Sequence, residues 1–150
     1  LTLLVVFSSL RADAWHIVSF TVFGVTLLLL YAASTLYHTA RAARWKRRFL
    51  KFDRAAAFLL IAGTCTPFLL VSLRGPLGWT LFGVVWGLCA VGVALKLFFA
   101  GRFQVTLVLA GLVAGWLMLI ALRPLIAAVP DGGLWLLLAG GLCYTVGTMF

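Results

Sequence analysis

Long stretches almost free of charged residues constrain this chain more than any other feature of its sequence. An α-helix needs roughly 20 apolar residues to cross about 30 Å of hydrocarbon. Backbone polar groups in lipid must be paired internally, and these stretches lack the two-residue alternation of barrel strands, so helices are predicted. The predicted spans are approximately 14–38, 54–73, 76–97, 103–123 and 132–150, with a partial span at 1–10.

The composition indicates that lipid is the main solvent of the chain. Hydrophobic residues make up 65% of the sequence and charged residues 10%, far from the balance of a soluble domain. Glu and Asn are absent, and only three Asp and one Gln occur, so polar groups are too few to cover a water-facing surface. We therefore predict a single all-α transmembrane domain over 1–150. The apolar runs at both chain ends further predict a fragment of a longer protein.

Basic residues are concentrated in one connection between predicted spans. Seven of the twelve Lys and Arg residues fall within 41–54, and the formal net charge is +9. Assigning alternate connections to alternate sides places nine basic residues on one side and three on the other, which predicts that 41–54 is cytoplasmic. This pattern does not favour a nucleic-acid partner. A surface helix on an anionic leaflet, with Trp45, Phe49 and Phe52 at helical spacing, is an alternative to the preferred interpretation as a topology-setting loop.

Three polar residues near this connection are candidates for chemistry. Ser34 and His38 lie four residues apart, hence on one helix face, and Asp53 opens the next predicted span from the same side. Histidine is a common metal ligand, and a nearby carboxylate can orient a ligand or a metal-bound water. A hydrolytic zinc site needs about three protein ligands, and the chain has two His, with His16 about 33 Å from His38 along a helix.

Each candidate also has a purely structural interpretation. His38 can be an interfacial residue at a helix end, where the helix dipole favours a cation. Asp53 can be the N-cap of the span that follows it. The hydroxyl of Ser34 can bond to the carbonyl one turn earlier.

Other residues give expectations about packing. Pro67 predicts a kink, with the freed carbonyl open to the hydroxyl of Thr64 or Thr66. The three cysteines lack metal-site spacing and are predicted to be small buried hydrophobes; they are Cys65, Cys89 and Cys143. Four tryptophans near span ends are predicted to be interfacial anchors; they are Trp15, Trp45, Trp79 and Trp135.

Four ordered segments resemble the hemolysin III family, which is related to the progestin and adiponectin receptor superfamily. They are Ala33-Ser34-Thr35-Leu36-Tyr37-His38, Phe52-Asp53-Arg54, the Ala-Gly-Thr-Cys-Thr-Pro segment within 60–68, and the glycine-rich segment 140–147. The resemblance implies a seven-helix protein of the bacterial plasma membrane with its amino terminus in the cytoplasm. The chain would then hold about six of the seven spans, the first of them partial.

The resemblance also implies a zinc ion near the cytoplasmic face. In adiponectin-receptor-like members, one His of the second helix and two from a His-x-x-x-His of the seventh bind the metal. By that pattern His38 is a zinc ligand, Asp53 is the carboxylate beside the metal-bound water, and Ser34 is the serine one turn before the ligand. This chain departs from the pattern in two ways. By the resemblance, the amino-terminal portion before the first span and the seventh helix would be missing, and Cys65 stands where Tyr is expected.

The sequence and the resemblance leave three classes of function open. The intact protein is expected to be a zinc-dependent lipid-amide hydrolase, with Asp53 and Ser34 as catalytic residues, while the 150-residue chain alone is expected to be inactive. The alternative is a non-catalytic protein that affects bilayer homeostasis or permeability, including cytolysis. A ligand receptor is the third. The lipid bilayer and a lipid substrate are the expected partners, and the sequence leaves the oligomeric state open.

Overall fold

The computed structural model describes residues 14–73, 75–98, 111–117, 126 and 131–147. Four helices make up most of this part of the chain. They are α1 (Ala14–Thr39), α2 (Ala43–Pro67), α3 (Pro76–Phe98) and α4 (Asp131–Gly147). No strand occurs among the described residues, which confirms the all-α prediction. The partial span predicted at 1–10 and most of the one at 103–123 lie outside these residues.

Three of the helical segments are long and apolar enough to cross a membrane. These are Ala14–Thr39, Ala43–Ser72 and Pro76–Phe98, whereas the apolar helix Gly132–Gly147 is shorter. The middle segment packs against both of the others. Since the connections are short, sequential helices are antiparallel, and α2 lies between α1 and α3 along most of its length. The first turns of α1 and α3 also meet, with 5.6 Å between the ring centroids of Trp15 and Trp79.

The start of α2 differs from the sequence-based expectation. The structure begins this helix at Ala43, whereas the predicted span begins at 54, so most of the predicted loop is helical. The segment consists largely of Ala, Leu, Arg and Lys, which are strong helix formers. Asp53 consequently lies inside the helix, and its interpretation as an N-cap is wrong; Ala42 occupies that position and makes no side-chain capping bond.

Pro67 marks a change of helix type within the second span. The five residues Phe68–Ser72 form a π-helix directly after it. Proline cannot donate to the carbonyl of residue i−4, here Gly63, so the regular α-helical bonding is interrupted. The hydroxyls of Thr64 and Thr66 instead donate to the carbonyls of Leu60 and Ala62. The expectation that one of these hydroxyls bonds to the freed carbonyl is therefore wrong.

The core of the described part lies between α2 and α3. Its buried residues come from both helices, the π-helix and one residue of 111–116; they include Phe58, Ala62, Cys65, Leu69, Val85, Cys89 and Ala114. Cys65 and Cys89 are buried as predicted, but Cys143 is exposed, so the prediction for the third cysteine is wrong. The four tryptophans predicted at span ends are all exposed.

One polar contact crosses this core. The indole N–H of Trp86 in α3 donates to the hydroxyl oxygen of Thr66 at 3.2 Å, and the Thr66 hydroxyl donates to the Ala62 carbonyl at 2.8 Å. Thr66 is 1% exposed. This chain of two hydrogen bonds joins α3 to α2 beside the proline.

We expect Thr66→Val to lower the free energy of unfolding by about 1 kcal/mol, because the buried indole N–H loses its acceptor while side-chain shape is kept. Thr64→Val is the matched control, since Thr64 is exposed and bonds only to its own helix. Unfolding of both variants in mixed micelles measures the difference. Equal stability of the two would show that the bond between α3 and α2 contributes nothing.

Candidate functional site

A close contact between α1 and α2 fixes how the two helices are aligned. Thr26 is buried, and its hydroxyl donates to the Phe23 carbonyl at 2.8 Å. Gly63 faces it so closely that a Cβ atom at this position would overlap the Thr26 hydroxyl oxygen. These two residues therefore lie at the same depth along the helix pair.

Ser34, His38 and Asp53 lie at similar distances from this contact, measured along the helix axes. Residues in an α-helix rise about 1.5 Å each. Ser34 and His38 lie about 12 and 18 Å from Thr26, and Asp53 lies about 15 Å from Gly63 in the same direction. By this helical rise, the carboxylate is level with the turn of α1 that carries the serine and the histidine.

Helical rotation places these three residues on the same side of the α1–α2 pair. An α-helix turns about 100° per residue, so Ser34 and His38 are rotated about 80° and 120° from the direction in which Thr26 meets α2. Asp53 is rotated about 80° in the opposite sense from Gly63. Because the helices face each other, these rotations bring all three residues to one side of the pair. We call Ser34, His38 and Asp53 the candidate site.

The three residues differ in exposure and in their neighbours. Ser34 and Asp53 are half-buried, and His38 is exposed. The imidazole of His38 meets the Tyr37 ring edge to face, with 5.0 Å between ring centroids. The Lys46 ammonium lies 5.5 Å from the Tyr37 ring centroid. An imidazole, a carboxylate and a hydroxyl at this end of the bundle can bind a metal, accept a proton and donate a hydrogen bond.

The described residues do not by themselves form a metal site. No group of three or more His, Cys, Asp or Glu suited to holding an ion occurs within the described ranges. His16 cannot join the candidate site, because it lies near the other end of α1, where its ring stacks on Phe20. Within this part of the chain, His38 is therefore the one imidazole available to a metal near Asp53.

Sequence reasoning missed one neighbouring pair of charged residues. Arg54 at the beginning of the second span lies within electrostatic range of Lys96, in the last turn of α3. The two residues are 42 positions apart, and no local pattern indicates their proximity. Only the antiparallel packing of α2 against α3 brings these two cations together.

The fold and these residues define a class: an all-α integral membrane protein with a polar, strongly basic end. The family model described as "Haemolysin-III related" matches residues 1–150. The chain therefore belongs to the hemolysin III family, as the sequence resemblance predicted.

Relatives support the same assignment. The chain is 47% identical to "Hemolysin-3 homolog" of Bacillus subtilis over 150 residues, covering the whole chain and 70% of that protein. It is 44% identical to "Hemolysin-3" of Bacillus cereus, covering 68% of that protein. A more distant match, 24% identical over 149 residues, is the human "Monocyte to macrophage differentiation factor", covering 94% of the chain and 60% of that protein. No solved structure matches the chain significantly.

Proposed function

We propose that the protein is a membrane-embedded hydrolase of lipid amides whose reaction takes place at the candidate site, and that this end of the bundle faces the cytoplasm. The observation that carries the proposal is the close contact of Gly63 with Thr26, from which helical rise and rotation give Ser34, His38 and Asp53 a common depth and side. The basic segment 41–54 supports the orientation, because basic connections remain preferentially in the cytoplasm.

We also propose zinc as the metal of the complete natural protein. The described residues fit it incompletely, since His38 supplies one nitrogen ligand where a hydrolytic zinc site has about three. The other ligands would come from residues outside the described part. The chemistry supplied by zinc, when bound, is polarisation of a carbonyl and activation of water.

The residues of this chain have distinct proposed roles. His38, exposed at the end of α1, would hold the metal through an imidazole nitrogen. Asp53, half-buried at the same depth, would accept a proton from the water that attacks the amide carbonyl and return it to the nitrogen of the leaving amine as the C–N bond breaks. The Ser34 hydroxyl, one turn from His38, donates a hydrogen bond that orients its neighbours at the site.

A second candidate function is a direct effect on the bilayer without catalysis. The printed names of the two Bacillus relatives favour it, since both are called hemolysins. Such a function requires neither a metal nor Asp53. Among the described residues, α1 and α3 carry no row of charges along one face, a feature typical of helices that line ion pores.

Zinc content tests the proposal directly. We expect the complete natural protein, purified from membranes, to contain about one zinc ion per chain, and His38→Ala to reduce this at least about tenfold because a first ligand is lost. Elemental analysis after removal of loosely bound metal measures the ratio.

His16→Ala is the matched control for this measurement. It removes the other histidine of the same helix, about 33 Å from His38. We expect it to leave zinc content unchanged. Equal zinc in the His38→Ala and His16→Ala proteins, both checked for folding by circular dichroism, would contradict the proposed metal site.

A further inference from the structure

Five basic residues share one face at the beginning of α2, apart from the candidate site. At about 100° per residue they fall within an arc of about 120°; they are Arg44, Arg47, Arg48, Lys51 and Arg54. All five are exposed. Asp53, the one acidic residue of 41–54, is rotated about 100° from Arg54 and away from the arc. We call these five residues the basic face.

The fold adds a sixth positive charge to this face. Arg54 lies on the side of α2 away from α1. A Cβ atom at Gly92 of α3 would overlap the Phe58 ring of α2, and Arg54 and Lys96 each lie four residues from this contact toward the same end of the bundle, hence at one depth. The whole sequence contains three acidic residues, and one of them, Asp53, belongs to the candidate site. The carboxylates of this sequence are therefore too few to neutralise the six cations, which favours binding of anions from outside it.

The length of the second span places the basic face at the membrane surface. The helical segment Ala43–Ser72 has 30 residues and measures about 45 Å, whereas the hydrocarbon layer is about 30 Å thick. The excess corresponds to about ten residues. Since the apolar residues follow Arg54, the excess is at the amino-terminal end. This puts 43–52, with four of the five residues of the basic face, at the level of the lipid headgroups, and Arg54 at the edge of the hydrocarbon layer.

Aromatic side chains next to the basic face fit the same location. Trp45 and Phe49 stack with 5.8 Å between centroids, and the Arg48 guanidinium lies 5.3 Å from the Trp45 ring centroid. Trp45 and Phe52 are about half exposed, at 49% and 55%. Exposed aromatic rings interleaved with Arg and Lys are typical of headgroup contact and are costly in open water.

We propose that the basic face, together with Lys96, binds the phosphate groups of anionic phospholipids. This lipid-binding face is separate from the candidate site, because the basic face and Asp53 lie on different sides of α2. The occupant is a membrane lipid, since the face continues directly from a membrane-spanning helix. Each basic residue at a membrane surface strengthens binding to anionic lipid roughly fivefold.

Competition between two lipids tests this proposal. The complete natural protein is equilibrated in neutral detergent with equal amounts of phosphatidylglycerol and phosphatidylcholine, and retained lipid is measured by native mass spectrometry. We expect phosphatidylglycerol to be retained preferentially. The triple variant Arg47→Gln, Lys51→Gln, Arg54→Gln is expected to lose about tenfold or more of this preference.

A control triple removes the same number of charges elsewhere. It combines Arg11→Gln, Arg74→Gln and Arg123→Gln, the three basic residues that the charge count assigns to the opposite side of the membrane, and we expect it to retain the lipid preference. Equal loss in both triples, or no preference in the unmodified protein, would overturn the proposal. Displacement of the lipid by millimolar inorganic phosphate would also overturn it, since that result identifies a site for the free ion. Zinc content is expected to be unchanged in both triples, which separates this test from that of the proposed hydrolase.

Discussion

Gly63→Leu is expected to prevent α1 and α2 from packing and to destabilise the protein by at least about 3 kcal/mol. Even a Cβ atom at this position overlaps the Thr26 hydroxyl oxygen, and its distance to the Thr26 Cβ atom is 3.0 Å. Inserting extra carbon atoms into a packed contact typically costs about 1–3 kcal/mol, and here the contacting atoms belong to a short, buried side chain. Unfolding in mixed micelles, monitored by circular dichroism, measures the loss.

Gly83→Leu is the matched control for this prediction. A Cβ atom at Gly83 meets no described atom within 4 Å, and both glycines lie inside helices, so the effects on helix propensity are similar. The double variant Thr26→Ala, Gly63→Ala is expected to recover part of the stability that Gly63→Ala alone loses, because the overlap with the hydroxyl is removed while the Cβ atom at 26 remains. Equal stability of the Gly63→Leu and Gly83→Leu proteins would show that the Thr26 contact does not align the helices.

The sequence predicts the helices better than it predicts their relative positions. The apolar spans at 14–38 and 76–97 correspond closely to α1 and α3 because hydropathy is a local property. The preferred interpretation of 41–54 as a loop is wrong for its helical part, because charged residues resemble a loop when hydropathy alone is read, whereas the alternative interpretation as a helix has the correct secondary structure. Helix propensity, which is favourable for Arg, Lys, Ala and Leu, is the signal that indicates the additional turns.

The candidate site shows the same division between local and distant information. The four-residue spacing of Ser34 and His38 defines one helix face from the sequence alone. The alignment of Asp53 with them depends on the Thr26–Gly63 contact. These two residues are 37 positions apart, and they can approach closely because glycine has no side chain. The pairing of Arg54 with Lys96 likewise follows from helix packing. Local patterns carry no information on such contacts.

Asp53→Asn is expected to lower kcat for hydrolysis of a fluorescent long-chain N-acyl amide by about 100-fold or more. Asparagine has nearly the same size as aspartate but cannot accept the proton of the attacking water. Zinc content is expected to remain near one per chain, because His38 is retained. Rates and metal content are measured on the complete natural protein in the same vesicles. Asp13→Asn, which changes the net charge equally outside the candidate site, is expected to keep full activity.

The same variant separates hydrolysis from a direct effect on the bilayer. A protein that only permeabilises membranes has no proton to transfer, so Asp53→Asn and His38→Ala would leave release of an encapsulated dye unchanged. A hydrolase loses amide cleavage in both variants, and any dye release that follows from lipid breakdown decreases with it. Dye release that persists in both variants, without amide cleavage by the unmodified protein, would therefore refute the hydrolase and favour the bilayer function. Cleavage that is lost in Asp53→Asn while zinc is retained requires a carboxylate at this position, and no purely structural role of Asp53 explains that result.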